Sequence, residues 1–149
     1  QLRIMHYPVP ETPPLPGQLR AGAHTDLSMM TLLYADNTKG GLQVRRRSGE
    51  WVDAPPLQDA FAVNLGDLMM RWTNDRWVST PHRVVNPSDT VNSRRLSVGM
   101  FFLPNYDAEV TCLPTCLAPG ATPKYESTTV TGYRTERFAR TAGSKPAAA

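Results

Sequence analysis

Proline and glycine divide this chain into short apolar runs, and that punctuation limits its fold more than any other feature. The sequence has 149 residues, of which 14 are proline and 10 are glycine. Proline interrupts helices and central strands, and glycine favours turns, so the pattern favours short strands joined by turns over long helices. Hydrophobic residues at 40% and charged residues at 19% indicate a globular chain rather than a disordered one. The length suits one domain with a single core, or one half of a larger fold.

The apolar pattern predicts about eight short strands. Residues 2–7 alternate with period two, whereas residues 27–34 are almost continuously apolar, as in a strand buried on both faces. The other predicted strands are residues 42–44, 51–53, 61–65, 82–85, 96–102 and 109–112. We therefore predict an all-β double sheet, with a jelly roll as the leading candidate.

The segments between and after these strands carry weaker signals. Residues 37–41 and 86–93 are predicted to be loops, and residues 68–72 fit a helical turn or a strand, because periodicity does not decide at that length. Residues 131–142 are the one segment predicted to be a late helix, and residues 143–149 a flexible tail.

Charge and hydropathy exclude several kinds of partner. The net charge is +3, and the densest basic run, Arg45-Arg46-Arg47, favours a solvated strand end over a nucleic-acid surface, which needs a broader basic stripe. No apolar run reaches the roughly 18 residues that a membrane span requires. The chain opens on an alternating run without an initiator Met or a signal-peptide pattern, so we expect an upstream part to be missing.

The chain contains two cysteines, Cys112 and Cys116. Without a nearby pair of histidines they cannot complete a zinc site, which needs about four ligands. A disulfide between them is possible but nothing in the pattern requires it. Low cysteine content without a signal peptide points to the reducing cytoplasm.

Two of the three histidines, His24 and His82, are candidate metal ligands together with Asp26. On an extended strand, residues two apart point to the same face, so His24 and Asp26 can converge on one ion. His82 begins another predicted strand, and an adjacent strand would bring it to the same place. Two histidines and a carboxylate form the facial triad of non-haem Fe(II) oxygenases, although zinc hydrolysis and hydrogen-bonded structural histidines remain open on spacing alone.

A second constellation lies on the strand that follows His82. Arg95 and Ser97 share one face of that strand. A guanidinium fork beside a hydroxyl, on the inner face of an apolar barrel, suits a dicarboxylate. The alternative is a strand-end arginine in a surface ion pair.

An ordered series of short motifs carries a resemblance to a known family. The motifs are LRIMHYP (2–8), GAHTD (22–26), GGLQV (40–44), NLGD (64–67), WTN (72–74), STPHRV (79–84), RLS (95–97) and FFLPN (101–105). Their sequence and order resemble the C-terminal catalytic region of the isopenicillin N synthase-like family of Fe(II)/2-oxoglutarate dioxygenases. The resemblance covers residues 2–142 and implies a distorted double-stranded β-helix, a variant of the jelly roll. Residues 1–142 would form the catalytic region.

The resemblance implies a role for each matching residue. His24, Asp26 and His82 match the iron ligands. Arg95 and Ser97 match the pair that holds the distal carboxylate of 2-oxoglutarate, and Tyr7 matches a tyrosine that often adds a hydrogen bond there. Phe101 matches a position that sometimes packs on an aromatic substrate, although core packing explains it equally well. One departure is Met5, which stands where family members often have Asn.

The resemblance also implies the reaction. An enzyme of this family uses Fe(II), O2 and 2-oxoglutarate to oxidise a small-molecule substrate, and releases succinate and CO2. Family members are usually about twice this long, so their N-terminal half is expected to lie outside this sequence. Two alternatives stay open: an Fe(II) oxidase or cyclase that does not use 2-oxoglutarate, and a fragment that binds without turnover.

Overall fold

Two four-stranded antiparallel sheets form the body of the protein in a computed structural model that describes residues 1–36, 41–86 and 93–143. The strands are β1 Leu2–Tyr7, β2 Leu19–His24, β3 Met30–Ala35, β4 Leu42–Arg45, β5 Trp51–Asp53, β6 Ala62–Leu65, β7 His82–Val85, β8 Arg95–Phe102, β9 Glu109–Val110 and β10 Thr128–Thr129. The major sheet has the order β1-β8-β3-β6 and the minor sheet the order β2-β7-β4-β5. The chain crosses from sheet to sheet at most connections, which is the jelly-roll arrangement that the sequence predicts.

Two helices lie beside the sheets: α1 Asp67–Trp72 and α2 Val130–Gly143. Residues Pro114–Cys116 form a single 3-10 turn, and β9 and β10 pair as a small ribbon. No helix within the described ranges is long and apolar enough to cross a membrane.

The buried apolar cluster lies under α2 rather than between the two sheets. It consists of Leu68 from α1, Val110 from β9, and Val130 and Tyr133 from α2. Burying each of these side chains contributes about 1.5–3 kcal/mol, so the cluster fixes α2 against α1. The space between the sheets is left for a cavity.

Several predicted elements have the observed bounds, and others differ for identifiable reasons. Strands β1, β5 and β7 agree residue for residue, and the predicted helix at 131–142 is α2. The strand predicted at 27–34 begins only at Met30, because Leu27 and Met29 leave the sheet and pack against the buried cluster. Strand β2 is not predicted from the sequence, because its two alanines and one glycine give a weak strand signal.

The remaining differences are small. Residues 68–72 belong to helix α1, whose first turn carries Asp67 and whose last turn carries Arg71, as the helix dipole favours. The strand predicted at 109–112 is limited to β9. Gly143 is part of α2. The rest of the predicted tail, and most of the loops predicted at 37–41 and 86–93, lie outside the described residues.

Gly66 allows the segment before β3 to approach the start of α1. A Cβ at this position would lie 2.0 Å from the backbone oxygen of Ser28 and 2.8 Å from that of Asp26, closer than real Cβ atoms come. The Gly66 N–H donates to the Met29 carbonyl at 2.9 Å, and the next N–H, of Asp67, donates to the Asp26 carbonyl at 2.8 Å. The close approach therefore requires glycine.

Gly66→Ala is expected to destabilise the chain by about 3 kcal/mol, because the added methyl group must push two backbone segments apart. Urea unfolding measures the loss. Gly22→Ala is the matched control, since a Cβ there meets nothing within 4 Å. An unfolding midpoint for Gly66→Ala equal to that of Gly22→Ala would contradict the expectation.

Candidate active site

Three side chains with metal-binding atoms converge between the two sheets. His24 ends β2 and lies directly opposite His82, the first residue of β7, and their ring centroids are 4.3 Å apart. Asp26 Oδ1 lies 4.0 Å from His24 Nε2 and 3.6 Å from His82 Nε2. One ligand atom from each of the three lies within 4.8 Å of the others. The three donor atoms are close enough together to be candidate ligands of one metal ion.

The structure brings His24 and Asp26 together by a route other than the predicted one. The sequence pattern predicts both residues on one extended strand, but β2 ends at His24. Thr25 and Asp26 turn out of the sheet, and the Asp26 carbonyl accepts a hydrogen bond from the Asp67 N–H. The convergence is as expected, whereas the strand explanation for it is wrong.

Backbone carbonyls orient both imidazole rings. His24 Nδ1 lies 2.8 Å from the Gly22 carbonyl oxygen, and His82 Nδ1 lies 3.1 Å from that of Thr80. A carbonyl oxygen only accepts, so each Nδ1 carries a proton that it donates. The neutral form of each ring then presents the lone pair of Nε2 to the centre of the triad, as metal-binding histidines do.

Two polar side chains orient the carboxylate. Thr31 Oγ1 and Asn64 Nδ2 donate to Asp26 Oδ2 at 2.6 and 2.8 Å. The two donors face each other across the β3–β6 pair. With Oδ2 engaged, Oδ1 is the oxygen that faces the two Nε2 atoms. The sequence analysis did not single out either donor; the available signal was a polar residue at an inward position of an otherwise apolar strand.

A buried cation lies at the other end of the space between the sheets. Arg95 is 5% exposed and Ser97 1%, and they occupy successive inward positions of β8. Within the described part of the chain, Arg95 Nε and Nη1 have no hydrogen-bond partner. Burial lowers the pKa of the Arg95 guanidinium, and Tyr7 and Asp36 partly oppose that shift. Arginine stays protonated near neutral pH, so this is a buried positive charge with unused donors, which an anion would satisfy.

Tyr7 and Met5 line the same end. In the β1–β8 pair, Tyr7 is opposite Arg95 and Met5 is opposite Ser97. The Arg95 guanidinium carbon lies 5.8 Å from the centroid of the Tyr7 ring. A thioether, which donates no hydrogen bond, therefore lies opposite Ser97 at this end of the cavity.

One cavity of about 320 Å³ connects the two ends. The triad lines it at one end and Arg95, Ser97 and Tyr7 at the other, while its remaining wall is mainly apolar. Phe101 also lines it and is half-buried, with the Arg3 guanidinium carbon 5.6 Å from its ring centroid. The volume is that of a small-molecule site. His24, with a side chain 47% exposed, marks the side on which the cavity meets solvent.

A jelly roll that holds two imidazoles and one carboxylate around a common point has the donor set of the non-haem Fe(II) oxygenases. The family model for the 2OG-Fe(II) oxygenase superfamily matches residues 1–104, and the chain belongs to this family.

Known relatives agree with this assignment. A 2-oxoglutarate-Fe(II) type oxidoreductase, hxnY, of Emericella nidulans is 42% identical over 130 residues, which cover 87% of this chain and 36% of the relative. A 1-aminocyclopropane-1-carboxylate oxidase of Oryza sativa subsp. japonica is 40% identical over 112 residues, or 75% of this chain and 33% of the relative. The chain thus spans well under half the length of the curated relatives it matches.

A solved structure shows the same fold. The full-length Neurospora crassa protein crystallised in complex with alpha-KG and thymine superposes with a TM-score of 0.83 and is 39% identical. The match covers 94% of this chain and 44% of that one. The double-stranded β-helix predicted from the sequence is therefore confirmed.

Proposed function

We propose that residues 1–142 are the catalytic region of an oxidoreductase that uses Fe(II), O2 and 2-oxoglutarate to oxidise a small-molecule metabolite, most simply by hydroxylation. The observation that carries this proposal is one cavity with the His24–Asp26–His82 triad at one end and the buried guanidinium of Arg95 at the other, where Nε and Nη1 have no hydrogen-bond partner among the described residues. A cosubstrate with an α-keto acid at one end and a carboxylate at the other fits those two groups. When bound, iron and 2-oxoglutarate together supply the O2-derived oxidant, with release of succinate and CO2.

His24, Asp26 and His82 are the proposed iron ligands. Support comes from their 3.6 and 4.0 Å separations and from the hydrogen bonds that turn each Nε2, and Oδ1 of Asp26, toward a common point. Two imidazoles and one carboxylate leave open positions on an octahedral metal, which the cosubstrate and O2 require. Zinc hydrolysis would use the same three residues but would give the buried Arg95 no role.

Arg95, Ser97 and Tyr7 are the proposed anchor for the distal carboxylate. Arg95 Nε and Nη1 have no partner within the described ranges, and Ser97, 1% exposed, offers a hydroxyl two residues along the same inward face. Tyr7 lies directly across the sheet and can add a phenolic hydrogen bond. Met5 offers no such donor, so the anchor has one polar contact fewer than an amide there would give.

Phe101 is proposed as a substrate contact. Support comes from its place in the cavity wall and from its position opposite Thr31 in the β3–β8 pair, close to the metal end. Gly99 makes room for this ring, because a Cβ there would lie 3.1 Å from Phe101 Cε2. The wall of the cavity around the ring is mainly apolar.

The complete protein is proposed to include an upstream half that covers the outer face of the major sheet. That face is apolar and open: Leu2, Ile4, Val63 and Met100 are 63%, 69%, 58% and 46% exposed. Contiguous exposed apolar surface of this kind marks an interaction site. Relatives of which this chain covers 33–36% have ample further chain to supply the cover.

A cytoplasmic location is proposed as well. Its support is that Cys112 and Cys116 are free thiols. Fractionation of cells that express the full-length protein tests it, and recovery in the secreted fraction would contradict it.

An anaerobic titration of the purified chain with Fe(II) and 2-oxoglutarate tests the proposed function. The expected result is a weak, saturable visible charge-transfer band that needs both additions, since the metal and the keto acid must meet in one site. A folded chain that binds neither Fe(II) nor 2-oxoglutarate would contradict the proposal.

The second candidate is an Fe(II) oxidase or cyclase that does not use 2-oxoglutarate. The observation that favours it is the 40% identity to a relative named 1-aminocyclopropane-1-carboxylate oxidase. Iron binding without the charge-transfer band, or substrate oxidation without stoichiometric succinate, would support this candidate. A chain that binds both groups without turnover would indicate that catalysis requires the upstream half.

A further inference from the structure

Helix α2 reaches the segment that carries two of the proposed iron ligands. Arg137 Nη2 donates a hydrogen bond of 2.6 Å to Thr25 Oγ1, across 112 residues of sequence. Thr25 is the residue between His24 and Asp26. A side chain of the helix therefore contacts the middle of residues 24–26, the ligand segment.

A buried carboxylate links the same helix to Asp26 by a second route. Asp67, 2% exposed, accepts a hydrogen bond of 2.9 Å from Tyr133 Oη, and its Oδ2 lies 3.7 Å from Arg137 Nη2. The backbone N–H of the same aspartate donates to the Asp26 carbonyl at 2.8 Å. Arg137 thus contacts both Thr25 and the residue that holds the Asp26 backbone.

The backbone of the ligand segment needs such support because neither sheet ladder includes Thr25 or Asp26. Strand β2 ends at His24, and β3 begins only at Met30, so Thr25 and Asp26 lie outside both ladders. The hydrogen bonds from Thr31 and Asn64 hold the Asp26 carboxylate, so contacts from outside the sheets are left to hold the backbone of Thr25 and Asp26. Helix α1 provides such a contact through the Asp67 N–H, and helix α2 provides another through Arg137.

Packing of α2 on the apolar cluster explains only part of this arrangement. Tyr133 is 7% exposed and belongs to that cluster, and its hydroxyl has to find a partner there. Arg137 is different, since its side chain is 35% exposed and could extend into water. It lies instead against Thr25 and Asp67.

We propose that Arg137 is a positioning residue for the metal site, which fixes Thr25 and thereby the spacing of the His24 and Asp26 donors. The inference rests on the proposed function, in which those two residues bind iron. Partners outside the immediate ligands typically change metal affinity by about 10- to 100-fold when removed. We expect the lower end of this range, because Arg137 acts through the backbone of the ligand segment.

The test compares Mn(II) affinity, measured by electron paramagnetic resonance on the metal-free chain, among matched variants. Arg137→Gln and Thr25→Val each remove the same hydrogen bond, and each is expected to weaken Mn(II) binding about 10-fold. Thr25→Ser keeps the hydroxyl and should restore parental affinity. Arg140→Gln makes the same charge change one turn along α2, at a side chain that is 70% exposed and pairs with Glu136, and should have no effect.

The double variant separates positioning from general destabilisation. If the two side chains act through one contact, Arg137→Gln with Thr25→Val should bind Mn(II) no more weakly than either single variant. Thr25→Val keeps the test decisive if Arg137→Gln does not fold. Parental Mn(II) affinity in both single variants would overturn the inference and leave the proposed function intact. A folded parent that binds no Mn(II) would overturn both.

Discussion

Asp26→Ala is expected to abolish tight Fe(II) binding and with it all turnover. The substitution removes the only anionic donor of the proposed triad and leaves two imidazoles, His24 and His82, on the minor sheet. The loss of metal affinity should exceed the roughly 100-fold that removal of an outer partner causes. Anaerobic equilibrium dialysis with Fe(II) measures it, and succinate formation in the presence of 2-oxoglutarate measures turnover.

The fold should survive this change, which is what makes the result interpretable. Asn64 loses its acceptor, at a cost of about 1–3 kcal/mol, whereas the Thr31 hydroxyl keeps a partner in Ser28 Oγ, 3.1 Å away. A small alanine also leaves room for water to reach them. Asp107→Ala is the control, since that carboxylate is exposed. Iron retained by a folded Asp26→Ala chain at parental affinity would show that the metal site lies elsewhere.

The strands that local pattern predicts correctly are those whose side chains alternate or whose ends carry proline. β1, β5 and β7 have the expected bounds, and each is followed or preceded by such a signal. β2 has no comparable signal, because Ala and Gly fit strands and turns about equally well. The predicted start of the strand at residues 27–34 is wrong, since an apolar side chain does not indicate whether a sheet or the buried apolar cluster under α2 covers it.

In the candidate site, too, local pattern predicts some features and tertiary contacts decide the others. Period-two alternation predicts that Arg95 and Ser97 share one face of their strand. The assumption that two predicted strands are neighbours places His82 beside His24. The residues that orient these groups depend on register and on tertiary contact. Thr31 reaches Asp26 only because β3 and β6 pair in one particular register.

Long-range contacts to the ligand segment have no local signal at all. Arg137 is one of several arginines on a polar helix, and only the packing of α2 on α1 brings it to Thr25. Gly66 is similar, because a glycine before a short helix reads as an ordinary turn residue. The requirement for it comes from the Ser28 backbone, 2.0 Å from where its Cβ would be.

Arg95→Gln is expected to weaken 2-oxoglutarate binding about 100-fold while leaving Fe(II) affinity unchanged. Two charge-assisted hydrogen bonds at about 1.5 kcal/mol each amount to about 3 kcal/mol, which corresponds to that factor. The concentration of 2-oxoglutarate that half-saturates the charge-transfer band measures the change. A keto acid of equal length without the distal carboxylate, 2-oxopentanoate, should bind the parent weakly and the variant no less well.

Arg95→Gln should not lower the free energy of unfolding, although it weakens cosubstrate binding. The parental guanidinium is 5% exposed, and two of its nitrogens have no hydrogen-bond partner in the part of the chain that the structure describes, so a neutral amide relieves a buried charge. The metal-free Arg95→Gln chain is therefore expected to resist urea at least as well as the parent, which a purely structural arginine would not allow. Arg94→Gln is the control, because the neighbouring side chain is 55% exposed and pairs with Asp36 on the surface. If Arg95→Gln kept the parental preference for 2-oxoglutarate over 2-oxopentanoate, the anchor would lie elsewhere. If parent and variant were both indifferent to the distal carboxylate, the oxidase that does not use 2-oxoglutarate would be the better description of the site.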